Sequence, residues 1–380
     1  MPEIQTFEKV PTVELHRHWE AGISPQTIAT LAQRNRVENF TLRSGAVIDG
    51  VDPQNPDSIR AYADRIATGF RGPKGFENFF NAFRSLHSIF KRPGDLEFAI
   101  YEQLRKEQAA GSIHTELRGS PISVMRQVGL KSVEEVILAM QRGVDKAYKD
   151  FGMSGTIIAC FSREKGIGDG SDMEKDQARH VVEAVVKLHN PDRPIGLDIA
   201  GAPENKYPPA IFEQALKPLR KAGVPVTIHA GEQCKPPDFS GAPASFVRDA
   251  ILNLGAKRIG HGVSLMDDSK NGQGTRKLIN HLGVGIEACP VSNELMGIIG
   301  IDNHPVKGLL DQGLLVSLGT DDPLFFGVAS VREMLVKFGA RMGLTPQDAL
   351  EMTRNAIKTA FVSDERREEL WKKLDERCVG

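Results

Sequence analysis

Cysteine is scarce in this 380-residue chain: four residues (Cys160, Cys234, Cys289 and Cys378), scattered, with no C-x-x-C pair. That argues against a disulfide framework or a zinc ribbon and fits ordinary thiols in a reducing, cytoplasmic setting. Charge imbalance is also missing. With 48 basic and 49 acidic residues the formal net charge is −1, which gives no electrostatic case for nucleic acid or an anionic membrane as partner. No apolar run approaches the ~20 residues of a membrane span, and "MPEIQTFEKV" lacks the basic-then-apolar order of an export signal. A G-x-G-x-x-G loop after the first strand-like run is absent too, which weakens a doubly wound dinucleotide-binding sheet.

What the chain does have is eight short runs rich in aliphatic and β-branched residues. They are "TVELHRH" (12–18), "SIHTELRG" (112–119), "GTIIACFSR" (155–163), "PIGLDIAG" (194–201), "VPVTIHAGE" (224–232), "KRIGHGV" (257–263), "GVGIEACP" (283–290) and "LLVSLGTDD" (314–322). Amphipathic stretches such as "EEVILAMQRGVDKAYKDF" separate most of them. Strand–helix alternation implies parallel pairing, and eight such units predict an α/β fold, a (β/α)8 TIM barrel. Barrels of this size form single units, so one domain is expected across 1–380. Some 90 residues separate the first two runs, far more than one crossover helix needs. A helical, lid-like insertion is expected at about 40–110, with "GFENFFNAFRSLHSIF" as its apolar helix. The tail after the eighth run reads as several further helices, its phenylalanines and methionines serving packing.

In such a barrel the functional groups gather where strands end. Reading the ends gives His16 and His18, then Asp198 and Gly201, His229 and Glu232, His261, Glu287 and Cys289, and the tandem Asp321-Asp322. Each alone has a plain explanation: a strand-end aspartate often caps a helix, and a glycine often turns. His16 and His18 share one strand face, roughly 7 Å apart along the chain, close enough to reach one ion. Four of the ten histidines at strand ends beside two aspartates predict a shared metal site. Glu14 lies on the same face, either bonded to that site or in a buried ion pair.

The ordered set "VELHRH", "IHAGE", "RIGHGV", "ACPVSN" and "SLGTDDPLFF" resembles the adenosine deaminase family of metal-dependent barrel hydrolases, from about residue 11 to the end. The resemblance implies that His16, His18, His229 and Asp321 bind one zinc ion, and that His18 also faces substrate. It further implies that Glu232 donates a proton to the purine, while His261 and Asp321 orient and deprotonate the attacking water. Asp322 would bond N7 and the Gly201 backbone N3. The chemistry is consistent with those roles. Zinc takes imidazole and carboxylate ligands and lowers the pKa of bound water from 15.7 to about 7. Attack at C6 puts charge on N1, which needs an acid. The absence of a strand-four lysine argues against a two-metal site, and the absence of H-x-E with P-C-x-x-C argues against a cytidine-type deaminase. A non-catalytic binding protein on the same fold is the remoter alternative.

The first motif departs from the family. Where adenosine deaminases usually read H-x-H-L-D-G, this chain has "HRHWEAG". Glu20 stands where their aspartate meets the ribose, and relatives acting on free adenine often carry Glu there. The expected substrate is a small purine nucleoside, adenosine or 2′-deoxyadenosine. Free adenine or a 5′-modified adenosine (aminofutalosine, methylthioadenosine) is the alternative. Trp19 is either a lid contact over the sugar or a packing residue.

Overall fold

Each of the eight runs forms a strand: β1 (Thr12–His18), β2 (Ser112–Gly119), β3 (Ser154–Ser162), β4 (Gly196–Ala200), β5 (Thr227–Ala230), β6 (Arg258–His261), β7 (Gly285–Ala288) and β8 (Leu315–Leu318). The structure is a computed structural model and describes residues 5–42, 44–70, 75–165, 176–202, 204–236 and 239–379. Every ladder is parallel, in the orders β1-β2-β3-β4 and β5-β6-β7-β8. Two single parallel bridges join these halves, Leu197 to Val226 and Arg17 to Asp321. The second is fixed by two bonds: the His18 N–H donates to the Asp321 carbonyl and the Asp321 N–H to the His16 carbonyl, both at 2.8 Å. The sheet therefore closes into a barrel, which removes its edges.

Helices cover the outside because their apolar stripes require it. In Val133–Phe151 the buried residues Val133, Val136, Ile137, Met140, Val144 and Ala147 recur at three- and four-residue spacing. Each fully buried side chain of this kind contributes about 1.5–3 kcal/mol. Ser132 caps the helix by accepting the Glu135 N–H, and Gly152 ends it in the left-handed region.

Between β1 and β2 lie helices Pro25–Arg34, Pro56–Gly69, Gly75–Ser85 and Pro93–Ala109, the third continuing into a 3-10 turn at Leu86–Ile89. The tail folds as Val331–Phe338, Pro346–Thr359 and Asp364–Val379. Its Met334, Met352 and Phe361 are buried in packing. No helix among the described residues is long and apolar enough to cross a membrane.

Candidate active site

The strand ends converge on one cluster. Ligand atoms of His16, His18, His229 and Asp321 all lie within 4.8 Å of one another. His16 sits deepest and reaches the centre because the strands beside it are bare. A Cβ added to Gly319 would stand 2.4 Å from the His16 Cβ, and one added to Gly260 2.9 Å from its Cε1. Asp321 and His261 adopt φ of +59° and +63°. A non-glycine residue pays strain for that conformation, and such strain concentrates at functional sites.

Carboxylates behind the cluster set which way the imidazoles face. His16 Nδ1 lies 2.8 Å from Glu287 Oε2, and His229 Nδ1 lies 2.9 Å from Asp198 Oδ2. Burial opposes ionising Asp198, but His229 and the Arg118 guanidinium more than offset it and hold the carboxyl low. Burial likewise opposes Glu287, which Arg118 and Arg258 hold well below the usual range. Both carboxylates therefore accept, each imidazole donates from Nδ1, and each Nε2 lone pair is left facing inward. His16 Nε2 is buried with no hydrogen-bond partner. His18 Nε2 and His229 Nε2 face each other at 3.4 Å, and Asp321 Oδ1 lies 3.5 Å from His16 Nε2 and 3.4 Å from His18 Nε2. Lone pairs and a carboxylate aimed at one point fit a divalent cation.

Two arrangements here were not foreseen. Asp198 is no helix cap: it bonds His229 and, at 2.9 Å, the fully buried Arg118 of β2, which also donates to Glu287 at 2.7 Å. Glu204, also buried, accepts the backbone N–H groups of Gly231 and Glu232 at 2.7 and 3.2 Å and so fixes the turn after β5. Glu14 bonds uncharged groups rather than a charged partner, accepting from the His16 N–H at 2.8 Å and from the Thr320 N–H and hydroxyl at 2.9 and 2.6 Å. It joins the first and last strands behind the cluster.

A cavity of about 170 Å³ opens over the cluster. It is lined by His18, Glu20, Gly201, His229, Glu232, His261, Asp321 and Asp322, so eight of the nine predicted site residues face it, and the ninth, His16, lies beneath. A larger recess of about 560 Å³ at the opposite end, where the strands begin near Pro225, Lys257 and Val284, carries none of these groups. Burial, then Asp321 and Glu204, pushes the Glu232 carboxyl up to about 8, against Arg163. Burial and the neighbouring Asp321 push Asp322 well above the carboxylate range. Burial holds His261 well below the usual imidazole value, hence neutral. Its Nε2 lies 3.7 Å from Glu232 and 3.8 Å from Asp321.

Phe79, Phe80, Phe83, Arg84 and His87 of the long insertion line the cavity's other wall. Glu20 is buried at that end. Its Oε1 accepts the Ser120 N–H at 3.3 Å and lies 3.7 Å from His87 Nε2, while its Oε2 has no partner. Trp19 is fully buried against Phe90, with ring centroids 5.5 Å apart, which settles it as packing beneath the insertion. Five carboxyl groups line the cavity (Glu20, Glu164, Glu232, Asp321 and Asp322), two of which, Glu232 and Asp322, are shifted toward their neutral form; one guanidinium among the described residues, Arg84, lies with them. That guanidinium lies 3.6 Å from Glu164.

A closed parallel barrel with a histidine–aspartate cluster at its strand ends, beside a proton-holding carboxyl, defines a metal-dependent hydrolase of the amidohydrolase type. Residues 11–377 match the family model for adenosine deaminase, and the chain belongs to that family. It is an adenosine deaminase-type aminohydrolase, a hydrolase of C–N bonds. It is 29% identical to an adenosine deaminase of Shewanella denitrificans over 369 residues, 96% of this chain and 98% of the relative. Among solved structures it is similar to the adenine deaminase of Arthrobacter aurescens, with a TM-score of 0.75 and 25% identity over 98% of this chain and all of that one. A Burkholderia ambifaria amidohydrolase solved with bound zinc also has a TM-score of 0.75 and 25% identity, over 99% of this chain and 94% of that one.

Proposed function

We propose that this enzyme hydrolytically deaminates adenosine and 2′-deoxyadenosine to inosine and 2′-deoxyinosine, releasing ammonia. A divalent metal, zinc in this reading, would be held by His16, His18, His229 and Asp321 and would supply Lewis-acid activation of water at neutral pH. The alternative group His16, His261, Cys289 and Asp321 is equally compact. However, Cys289 does not line the cavity, and its thiol donates to the Glu287 carbonyl at 3.7 Å, whereas His18 and His229 face the cavity.

The chain's own residues carry the remaining steps. Asp322, protonated through its raised pKa, donates to N7, and the Gly201 backbone meets N3. As the water oxygen bonds to C6, His261 and Asp321 hold the water, and one of the two receives its proton. Glu232, protonated near neutral pH, gives its proton to N1. The amino nitrogen then takes that water-derived proton and leaves as ammonia when the C6–N6 bond breaks, while the C6 hydroxyl proton returns to Glu232 as the C6=O forms.

Glu20 carries the nucleoside reading. Its unpartnered buried Oε2 costs about 1–3 kcal/mol unless something donates to it, and a sugar hydroxyl does so. A 5′-phosphate would instead meet Glu20 in a cavity whose one guanidinium among the described residues, Arg84, is already paired with Glu164. Assaying ammonia release from adenosine, 2′-deoxyadenosine, 5′-modified adenosines, adenosine monophosphate and adenine tests this. The two nucleosides are expected to have the highest kcat/KM, the monophosphate to be poor, and Glu20→Gln to weaken that discrimination. A wild-type preference for adenine would replace the nucleoside assignment with the free-base one, leaving the metal chemistry unchanged.

A further inference from the structure

Behind His261 runs a short chain of hydrogen bonds whose direction is fixed at its far end. The backbone N–H of Val306 can only donate, and it donates to His304 Nδ1 at 3.3 Å. A neutral imidazole that accepts at Nδ1 carries its proton on Nε2. His304 Nε2 lies 3.1 Å from Asn293 Oδ1, so the imidazole donates and the amide oxygen accepts. The amide nitrogen of Asn293 is thereby turned to His261 Nδ1, 3.2 Å away, and an amide nitrogen is only a donor. His261 Nδ1 must therefore accept. The opposite amide orientation would put its NH2 against the His304 Nε2–H, donor against donor.

All three residues are buried, so water does not scramble the order. Burial also drives the His304 pKa down to about 3, so the ring stays neutral and supplies one donor and one acceptor. Asn293 closes the "ACPVSN" motif on the short helix Pro290–Leu295 after β7. His304 follows a 3-10 turn at Ile301–Asn303.

We propose that Asn293 and His304 are positioning residues that lock His261 in the Nε2–H tautomer, so that His261 donates a hydrogen bond into the site and Asp321 alone takes the proton of the attacking water. This rests on the deaminase reading above for its catalytic consequence, but not for the tautomer itself. An Nε2–H imidazole has no lone pair on the nitrogen facing the cavity. It holds the water oxygen and stabilises charge developing there; Glu232, 3.7 Å from that nitrogen, holds its own proton, which leaves the Asp321 carboxylate, at 3.8 Å, as the proton acceptor among the described residues beside it.

Long-range 15N–1H spectra of the histidine-labelled, metal-loaded enzyme test the tautomer directly, with the His261 signals assigned from their loss in His261→Asn. The expected pattern is an unprotonated Nδ1 and a protonated Nε2. A protonated Nδ1 on His261 in the wild-type enzyme overturns the proposal, whatever the activity shows. Kinetics supply the second arm. His304→Phe removes the directing donor and should lower kcat about tenfold to a hundredfold, with KM within about threefold and metal content unchanged. His304→Gln, whose amide nitrogen can stand near the lost Nε2, should restore both the tautomer and most of kcat. Equal loss in the Gln and Phe variants with the tautomer intact would also overturn it. If instead the spectra show the expected tautomer and none of the proteins releases ammonia from any 6-aminopurine, the deaminase reading fails and the tautomer lock stands.

Discussion

Glu232 shows how one position acquires its chemistry. It follows His229 by three residues, beyond a left-handed Gly231, and its backbone N–H is held by Glu204. Burial pushes its pKa up to about 8 from an ordinary 4.5, so near neutral pH it holds the proton that its proposed role as acid toward N1 requires. Glu232→Gln should retain metal and fold but lose about 10²- to 10⁴-fold in kcat, because the amide hydrogen-bonds to N1 without protonating it. Retention of more than about a tenth of wild-type kcat would remove Glu232 from the role of acid. The sign of the pH dependence follows from the same shift. The working form is the protonated one, so kcat should fall as pH rises through about 8. A dication in the adjacent cluster opposes burial, which makes about 8 the upper bound of that limb; a kcat still rising at pH 9 would contradict it.

These residues were legible because each ends a strand-like run, where a barrel puts its chemistry. His87, Arg118 and Glu204 were not. Each acts through a partner distant in sequence: His87 with Glu20, Arg118 with Asp198 and Glu287, and Glu204 with the turn at Gly231. No local spacing marks such pairs.

At the scale of elements, all eight strands lie within the runs read from the sequence or extend them by one residue, because alternation of aliphatic strands with amphipathic helices has few parallel solutions. Closure was less visible. Among the described residues two single bridges join the halves, and the barrel is also tied inside by a charged cluster. Arg118 spans Asp198 and Glu287, while Arg258 bonds Glu287 at 2.5 Å and pairs with Glu116, all fully buried. Arg118→Met should therefore destabilise the fold by about 3–5 kcal/mol, since it leaves two buried carboxylates short of a counter-charge. The midpoint of urea unfolding at pH 7 reads this directly; a change under about 1 kcal/mol would show the cluster to be replaceable. Asp198 and Glu287 have lowered pKa values in the fold. Their stabilisation is thus complete above the unfolded carboxylate range near 4 and is lost as pH falls below it. The variant's deficit should shrink in acid.

For the whole molecule, the consequence lies in what the barrel converges on. Three imidazoles and Asp321 meet at one point, with His16 Nε2 buried and unpartnered and two Nε2 atoms facing each other. Without a cation, that arrangement crowds three imidazole nitrogens and a carboxylate together at the closure between β1 and the segment after β8. A metal bound only by the folded state stabilises it by RT ln(1 + [L]/Kd), about 4 kcal/mol at a thousandfold excess over Kd. Removing the metal with a chelator should therefore abolish deamination and lower Tm by several degrees in the same titration. Zinc should restore both, saturating at one equivalent per chain. His18→Ala should show the low Tm without chelator and respond weakly to added zinc. Saturation at two equivalents, or full activity in metal-free protein, would refute the single-ion site. A Tm indifferent to zinc would place the metal's energy in catalysis alone, and the barrel's closure would then rest on the charged cluster around Arg118.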